Sequence, residues 1–277
     1  MNIAFKIPPV AQNYSDLHLL AETGHNEISF LVYEKKPFSL QGFYMYSLNR
    51  HITPVDYAAA LERTLQKEDV LHQKFASCTI CSNHTESGLI PSEYFDEREK
   101  EKYANLLFGE DKRAVFFKDD VKGQYIKNVY RIPAIVFGIL NRFFPDNKIT
   151  HSTTLQLNCS KAFGEVLNCV VYHNGIKVFL FIESKIQIVQ YFEYQSPVDV
   201  CYHLLNICER FYISPDSVQL QLSGIVEEHS DLYRNLFNYF LNISFAPLPE
   251  GSTLSHPLQV HPHQFYSNLS ALAACVS

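Results

Sequence analysis

The sequence predicts a mixed α/β chain in which one succession of elements is written twice, and three observations carry that prediction. "TPVD" at 53–56 returns as "SPVD" at 196–199, 143 residues later. The apolar residues after each tetrapeptide repeat at the same offset, with Val55, Ala58, Leu61 and Leu65 matching Val198, Cys201, Leu204 and Cys208. Three strand-like runs also precede each tetrapeptide.

Each tetrapeptide reads as a helix start. Thr53 or Ser196 is the N-cap, and Pro54 or Pro197 takes the first helical position, where its missing N–H matters least. Asp56 or Asp199 then lies third, beside the exposed amides. The 3–4 spacing of the apolar residues predicts one buried stripe per helix, which makes Cys201 and Cys208 core residues.

The runs upstream of the first helix are "LHLLAE", "EISFLVYE" and "FSLQGFYMY", separated by the short turns "TGHN" and "KK". Those upstream of the second are "VLNCVVY", "IKVFLFIE" and "IQIVQYFEY", separated by "HNG" and "SK". Each set reads as a three-stranded meander, apolar on both faces and so expected to be buried on both. Downstream of the helices come the strands "ASCTICS" and "SVQLQLS". A helix and a strand follow each: "PAIVFGILNRFF" with "KITHSTT", and "VEEHSDLYRNLFNYF" with "NISFAPL".

Three antiparallel strands, then helix, strand, helix and strand, written twice, is the order of an actin-like ATPase fold. That is an α/β architecture with mixed sheets, two ribonuclease-H-like lobes and a cleft between them. The expected division is 1–155 for the first lobe, 156–250 for the second, and 251–277 for a loop and a helix that docks on the body. The first lobe carries an extra segment, 84–132, holding the turn "SGLIPSEYF", a charged helix and a β-ribbon. The C-terminal helix carries the stripe Phe265, Leu269, Leu272 and Val276.

Composition narrows the classes. Apolar residues make up 47% of the chain and charged residues 19%, with a formal charge of −6, which is globular rather than disordered. No basic block suggests a nucleic-acid surface. Lys6, Pro8, Pro9, Asn13 and Asp16 interrupt the N-terminus, so no signal peptide is expected. The longest apolar run, "IPAIVFGIL", is too short for a membrane span. Seven irregularly spaced cysteines suit reduced thiols, and the expectation is a cytoplasmic protein without disulfide or zinc. Cys78 and Cys81 have a zinc-like spacing, but three residues along a strand they point to opposite faces.

The meander, "GLIPSEYF", "IPAIVFGILNRFFP" and the closing "FYSNLSALAACV" together resemble a Bacteroidetes family known as domain of unknown function 3822. That resemblance covers nearly the whole chain. It implies the actin-like ATPase fold and carries no assigned activity or site.

In actin-like ATPases the first β-turn of each lobe, of the form Asp-x-Gly, wraps the phosphates of a nucleotide bound with Mg²⁺. The matching turns here are Glu22-Thr23-Gly24-His25-Asn26, with Glu for Asp, and Tyr172-His173-Asn174-Gly175, which has no carboxylate. The adenosine-side Thr-Gly-Gly is represented by Ser223-Gly224-Ile225, where Ile225 leaves less room for a ligand. The candidate cleft residues are therefore Glu22, Thr23, Gly24, His173, Asn174, Gly175, Ser223 and Gly224, with no catalytic and no metal-ligating residue assigned. The reading is a non-catalytic interaction or scaffold module with degenerate phosphate loops, no cofactor, and another protein as partner on segment 84–132. The alternative is an ATP-binding enzyme or switch that uses Glu22 for Mg²⁺ and the Gly24 region for phosphate.

Overall fold

In the computed structural model, residues 2–10, 13–24, 27–48, 52–160 and 162–276 are described. The chain divides into two units: Met1–Cys159 with Gly251–Leu258 and Leu272–Ser277, and Ser160–Glu250 with Gln259–Ala271.

The first unit opens with β1 (Asn2–Ile7) and continues through the meander β2 (His18–Gly24), β3 (Glu27–Lys35) and β4 (Phe38–Ser47) into α1 (Pro54–Lys67) and β5 (Ser77–Ser82). The extra segment follows as β6 (Ser87–Pro91), α2 (Lys100–Phe108), β7 (Ala114–Val121) and β8 (Ile126–Pro133). The unit then resumes with α3 (Ala134–Phe143), β9 (Lys148–His151) and α4 (Ser152–Cys159). The main sheet runs β1-β4-β3-β2-β5-β9 and the extra segment forms its own sheet, β6-β8-β7. The meander is antiparallel, whereas β2, β5 and β9 are parallel. α1 starts as its residues predict: Thr53 Oγ1 accepts from the Asp56 amide at 3.2 Å and donates to its carboxylate at 2.7 Å. A cap of this kind is worth about 1 kcal/mol. Ala58, Leu61 and Leu65 pack with Leu19, Ala21, Phe30 and Ile80 of the sheet, each large side chain contributing about 1.5–3 kcal/mol.

The second unit contains β10 (Glu165–Val171), β11 (Gly175–Ile182), β12 (Lys185–Glu193), α5 (Pro197–Arg210), β13 (Gln219–Gly224), α6 (Asp231–Phe237) and β14 (Asn242–Phe245). Its sheet, β12-β11-β10-β13-β14, repeats the order β4-β3-β2-β5-β9 position for position. At the start of α5, the Asp199 carboxylate accepts from the backbone amides of Ser196 and Gln195, both at 2.9 Å. Cys201, Leu204 and Cys208 are buried against Leu167, Val178 and Leu220. The chain ends with β15 (Thr253–Leu254), which pairs with β4, and α7 (Gln264–Cys275), whose Phe265, Leu269 and Leu272 are buried.

Several expectations need correction. Val55 and Val198 are 61% and 62% exposed rather than part of the buried stripe. They lie in the first helical turn, where Tyr57 and Val200 take the inward direction instead. "KITHSTT" is not all strand: it leaves the sheet at His151 and continues directly as α4, because Ser152 and Thr154 find side-chain partners there. The helix expected across "VEEHSDLYRNLFNYF" begins only at Asp231, where the Ser230 hydroxyl caps the Tyr233 amide at 3.2 Å. The second meander is not buried throughout, since none of the residues of β12 is buried. Cys159 and Cys275 form a disulfide, with Cα atoms 6.1 Å apart, against the expectation of reduced thiols only. Their spacing is within the range a disulfide requires.

Candidate functional site

The carboxyl ends of parallel strands are where open α/β sheets bind ligands. In the first unit, Thr23, Ser82 and His151 stand side by side there on β2, β5 and β9. Gly24 follows Thr23 with φ +137°, and a Cβ on it would lie 2.5 Å from the Asn83 backbone. Only glycine fits a chain path so close to its neighbour.

The Gly24 amide, the group a phosphate-binding turn would offer, donates to the Tyr57 hydroxyl at 2.7 Å. That hydroxyl donates in turn to the Glu27 carbonyl at 3.2 Å. Burial, with Glu22 and Glu27 nearby, raises the phenol above its ordinary pKa and keeps it protonated. Glu22 and Thr23 are both buried. His25 and Asn26, at the tip of the turn, lie outside the described residues.

Several further groups on this crest are tied up by the chain's own polar groups. The Asn83 amide donates to the Thr23 carbonyl at 2.8 Å, and the Ser152 hydroxyl donates to Asn83 Oδ1 at 2.7 Å. His151 accepts the Thr153 amide at Nδ1, which leaves Nε2–H to donate to the His84 carbonyl at 3.0 Å. The extra sheet joins in through Asp119, whose Oδ2 accepts from the Thr150 hydroxyl at 2.9 Å and the His151 amide at 2.7 Å. Burial raises the Asp119 carboxyl pKa, and these hydrogen bonds oppose the shift. His84 sits edge-on to Tyr57, and desolvation holds its imidazole down to about 4.

The second unit presents a different crest. Tyr172 to Gly175 is a tight hairpin, with the Tyr172 amide donating to the Gly175 carbonyl at 2.8 Å. His173 is exposed and Asn174 buried. The Tyr191 hydroxyl lies over Gly175, 2.0 Å from where a Cβ would stand. Ser223 is buried, and Gly224 has φ +85° with its would-be Cβ only 2.1 Å from the Val171 carbonyl oxygen. The Ile225 amide donates to that same oxygen at 2.8 Å. Thus Gly224 is required by strand-to-strand packing. The turns at 172–175 and 223–226 contain no carboxylate.

The eight sequence-predicted residues therefore fall on two crests, Glu22, Thr23 and Gly24 on the first and the other five on the second. On the first crest the Gly24 amide is engaged within the fold rather than offered to a phosphate. Among the described residues no group of three His, Cys, Asp or Glu side chains is arranged to hold a metal ion. Cys78 and Cys81 lie on β5, and desolvation pushes the Cys78 thiol up to about 12. Sequence reasoning missed Tyr57, His84, Asp119 and His151. Tyr57 had one available signal: at the 143-residue offset its counterpart is Val200, so the repeat changes there from an aliphatic residue to a phenol.

Two sheets of one strand order, each an antiparallel meander continued by parallel strands, define an actin-like ATPase fold. A Bacteroides thetaiotaomicron VPI-5482 protein with that fold and unknown function is similar to this chain at TM-score 0.73 and 15% identity, covering 95% of this chain and 97% of its own. A structure of the PilM–PilN type IV pilus biogenesis complex matches at TM-score 0.66 and 10% identity, covering 96% and 100%. No curated protein sequence matches the chain. Residues 10–243 match the family described as protein of unknown function DUF3822, and the chain belongs to it. No helix among the described residues is long and apolar enough to cross a membrane.

Proposed function

We propose that this chain is a non-catalytic, cytoplasmic interaction module, an actin-like body whose phosphate loops have become structural. The observation that carries this reading is the Tyr57 hydroxyl on the Gly24 amide at 2.7 Å. An anion cradle works by presenting backbone N–H groups to a ligand, and here the N–H is used within the fold. Phosphoryl transfer also needs charge stabilisation around the transferred group, and the turn at 172–175 supplies no acid. The partner is another protein, docking on segment 84–132. Arg131 holds that segment together with a two-pronged bond to Glu86, at 2.8 and 2.6 Å, and by donating to the Phe108 and Gly109 carbonyls. Tyr94, Leu106 and Tyr125 are exposed on it. A hollow of about 520 Å³ beside Tyr125 is lined by Ser92, Asp120, Ile126 and Lys127. The fold neighbour solved as a PilM–PilN complex supports a protein partner.

Thermal unfolding with and without Mg·ATP tests the reading, because a ligand bound only by the folded state raises Tm. The expected result is no shift and no turnover above background. A clear shift, or hydrolysis lost in Glu22→Ala, would establish the nucleotide-dependent switch instead.

A further inference from the structure

β12 and β4 hold the same place in sheets of identical order, yet they are covered differently. β1 runs antiparallel along β4 from Asn2↔Ser47 to Ile7↔Phe43, and β15 adds Thr253↔Ser39 and Leu254↔Leu40. Every residue of β4 except Phe38 and Gln41 is buried. Among the described residues no strand pairs with the outer edge of β12, and none of its nine residues is buried. Its composition does not suit an edge. Ile186, Ile188, Val189, Tyr191 and Phe192 are residues that favour strands with neighbours on both sides. Proteins blunt long edges with proline, inward charges or bulges. β12 contains no proline, and its one irregularity is a bulge between Ile186 and Ile188.

We infer that β12 is a self-association edge, pairing antiparallel with β12 of a second copy about a twofold axis through Val189. The charges on the strand select this occupant and this register. With Val189 opposite itself, Lys185 at one end meets Glu193 at the other, twice per interface, and Ile186 meets Phe192. Both charged residues are exposed. Opposite charges and aromatic–aliphatic pairs across strands are stabilising, and like charges directly opposite are not. A twofold contact is self-complementary by construction, as this strand is. The rim beside it is apolar: Phe192 stacks on His203 of α5 at 4.3 Å between centroids, and the exposed Tyr202 lies edge-on to that His203. This inference is independent of the reading of the two crests.

Light scattering coupled to gel filtration, at roughly 10–100 µM chain, tests it. The wild type is expected at twice the 31.9 kDa chain mass. Glu193→Lys sets Lys against Lys185 at both ends and should weaken association by about tenfold or more. The double variant Lys185→Glu/Glu193→Lys restores opposite charges and should restore the dimer. Val189→Lys at the centre should give monomers, with circular dichroism confirming that each variant is folded. A monomeric wild type overturns the proposal, as does a dimer that survives both Glu193→Lys and Val189→Lys. If Val189→Lys dissociates the dimer but the charge swap does not rescue it, the register centred on Val189 is wrong and the proposal fails.

Discussion

The Tyr57 hydroxyl accepts a hydrogen bond from the Gly24 amide at 2.7 Å and donates one to the Glu27 carbonyl at 3.2 Å. One phenol thereby satisfies both flanks of the β2–β3 turn. Tyr57→Phe keeps the ring and strands two buried backbone groups, so it should lower stability by about 1–3 kcal/mol. Urea unfolding checks this through a lower midpoint at unchanged slope. A loss below roughly 0.5 kcal/mol would mean that water readily replaces the hydroxyl.

Gly224 and Gly251 separate two reasons for glycine. Both have positive φ, +85° and +73°, but a Cβ at 224 meets the Val171 oxygen at 2.1 Å whereas one at 251 meets nothing within 4 Å. Gly251→Ala should cost about 1 kcal/mol, the left-handed backbone alone. Gly224→Ala should cost upwards of ~3 kcal/mol, because strands β10 and β13 must move apart. Equal losses in denaturant melts would refute the packing argument.

His84 makes stability depend on pH with a definite sign. Its folded pKa is held down to about 4 from an ordinary 6.5, chiefly by desolvation, so between those values the unfolded chain binds the extra proton. Its contribution is complete above pH ~6.5 and is lost as pH falls towards ~4, about 3 kcal/mol in all. Asp119 works in the opposite direction: its raised pKa means that protonation at low pH favours the folded chain. His84→Gln should therefore flatten the pH dependence of the urea midpoint between pH 7.5 and 4.5. An unchanged slope would assign the dependence to other groups.

The disulfide also has a measurable consequence. Cys159 and Cys275 are 116 residues apart, and closing a loop of that length constrains the unfolded chain by up to about 5 kcal/mol. Reduction, or Cys275→Ser, should lower Tm by roughly 10 °C. Cys201 and Cys208 are buried thiols, and desolvation pushes the Cys208 thiol up to about 11. They should resist alkylation under the same conditions. Mass spectrometry that finds free thiols at 159 and 275 in air-oxidised protein would remove the cross-link.

What could be read in advance was whatever depends on neighbours in sequence. The meanders, the capped starts of α1 and α5, and the inward faces of Leu61 and Leu204 follow from two- and 3.6-residue periods. β1 could not be placed, because its partner β4 lies some forty residues on and only the folded sheet brings them together. β12 looked as buried as β4 because its apolar content is similar, and burial is decided by what arrives beside a strand. At the candidate site the backbone turns and glycines were legible. The occupant of the Gly24 amide was not, since a tyrosine on an apolar helix face does not reveal where its hydroxyl ends.

The first unit is assembled from three stretches of chain, and this bears on how it is made. β15 pairs with β4, the Ser255 amide and hydroxyl bond the Leu40 and Gln41 carbonyls, and Cys275 joins Cys159. A ribosome that has released the first 159 residues has therefore delivered an unfinished unit, with part of the β4 edge open while the second unit is synthesised. Vectorial folding of this chain proceeds outward and then back. The unit begun first is closed last, and a stop codon shortly before residue 253 would leave both units incomplete, the first without β15 and Cys275 and the second without Gln259–Ala271.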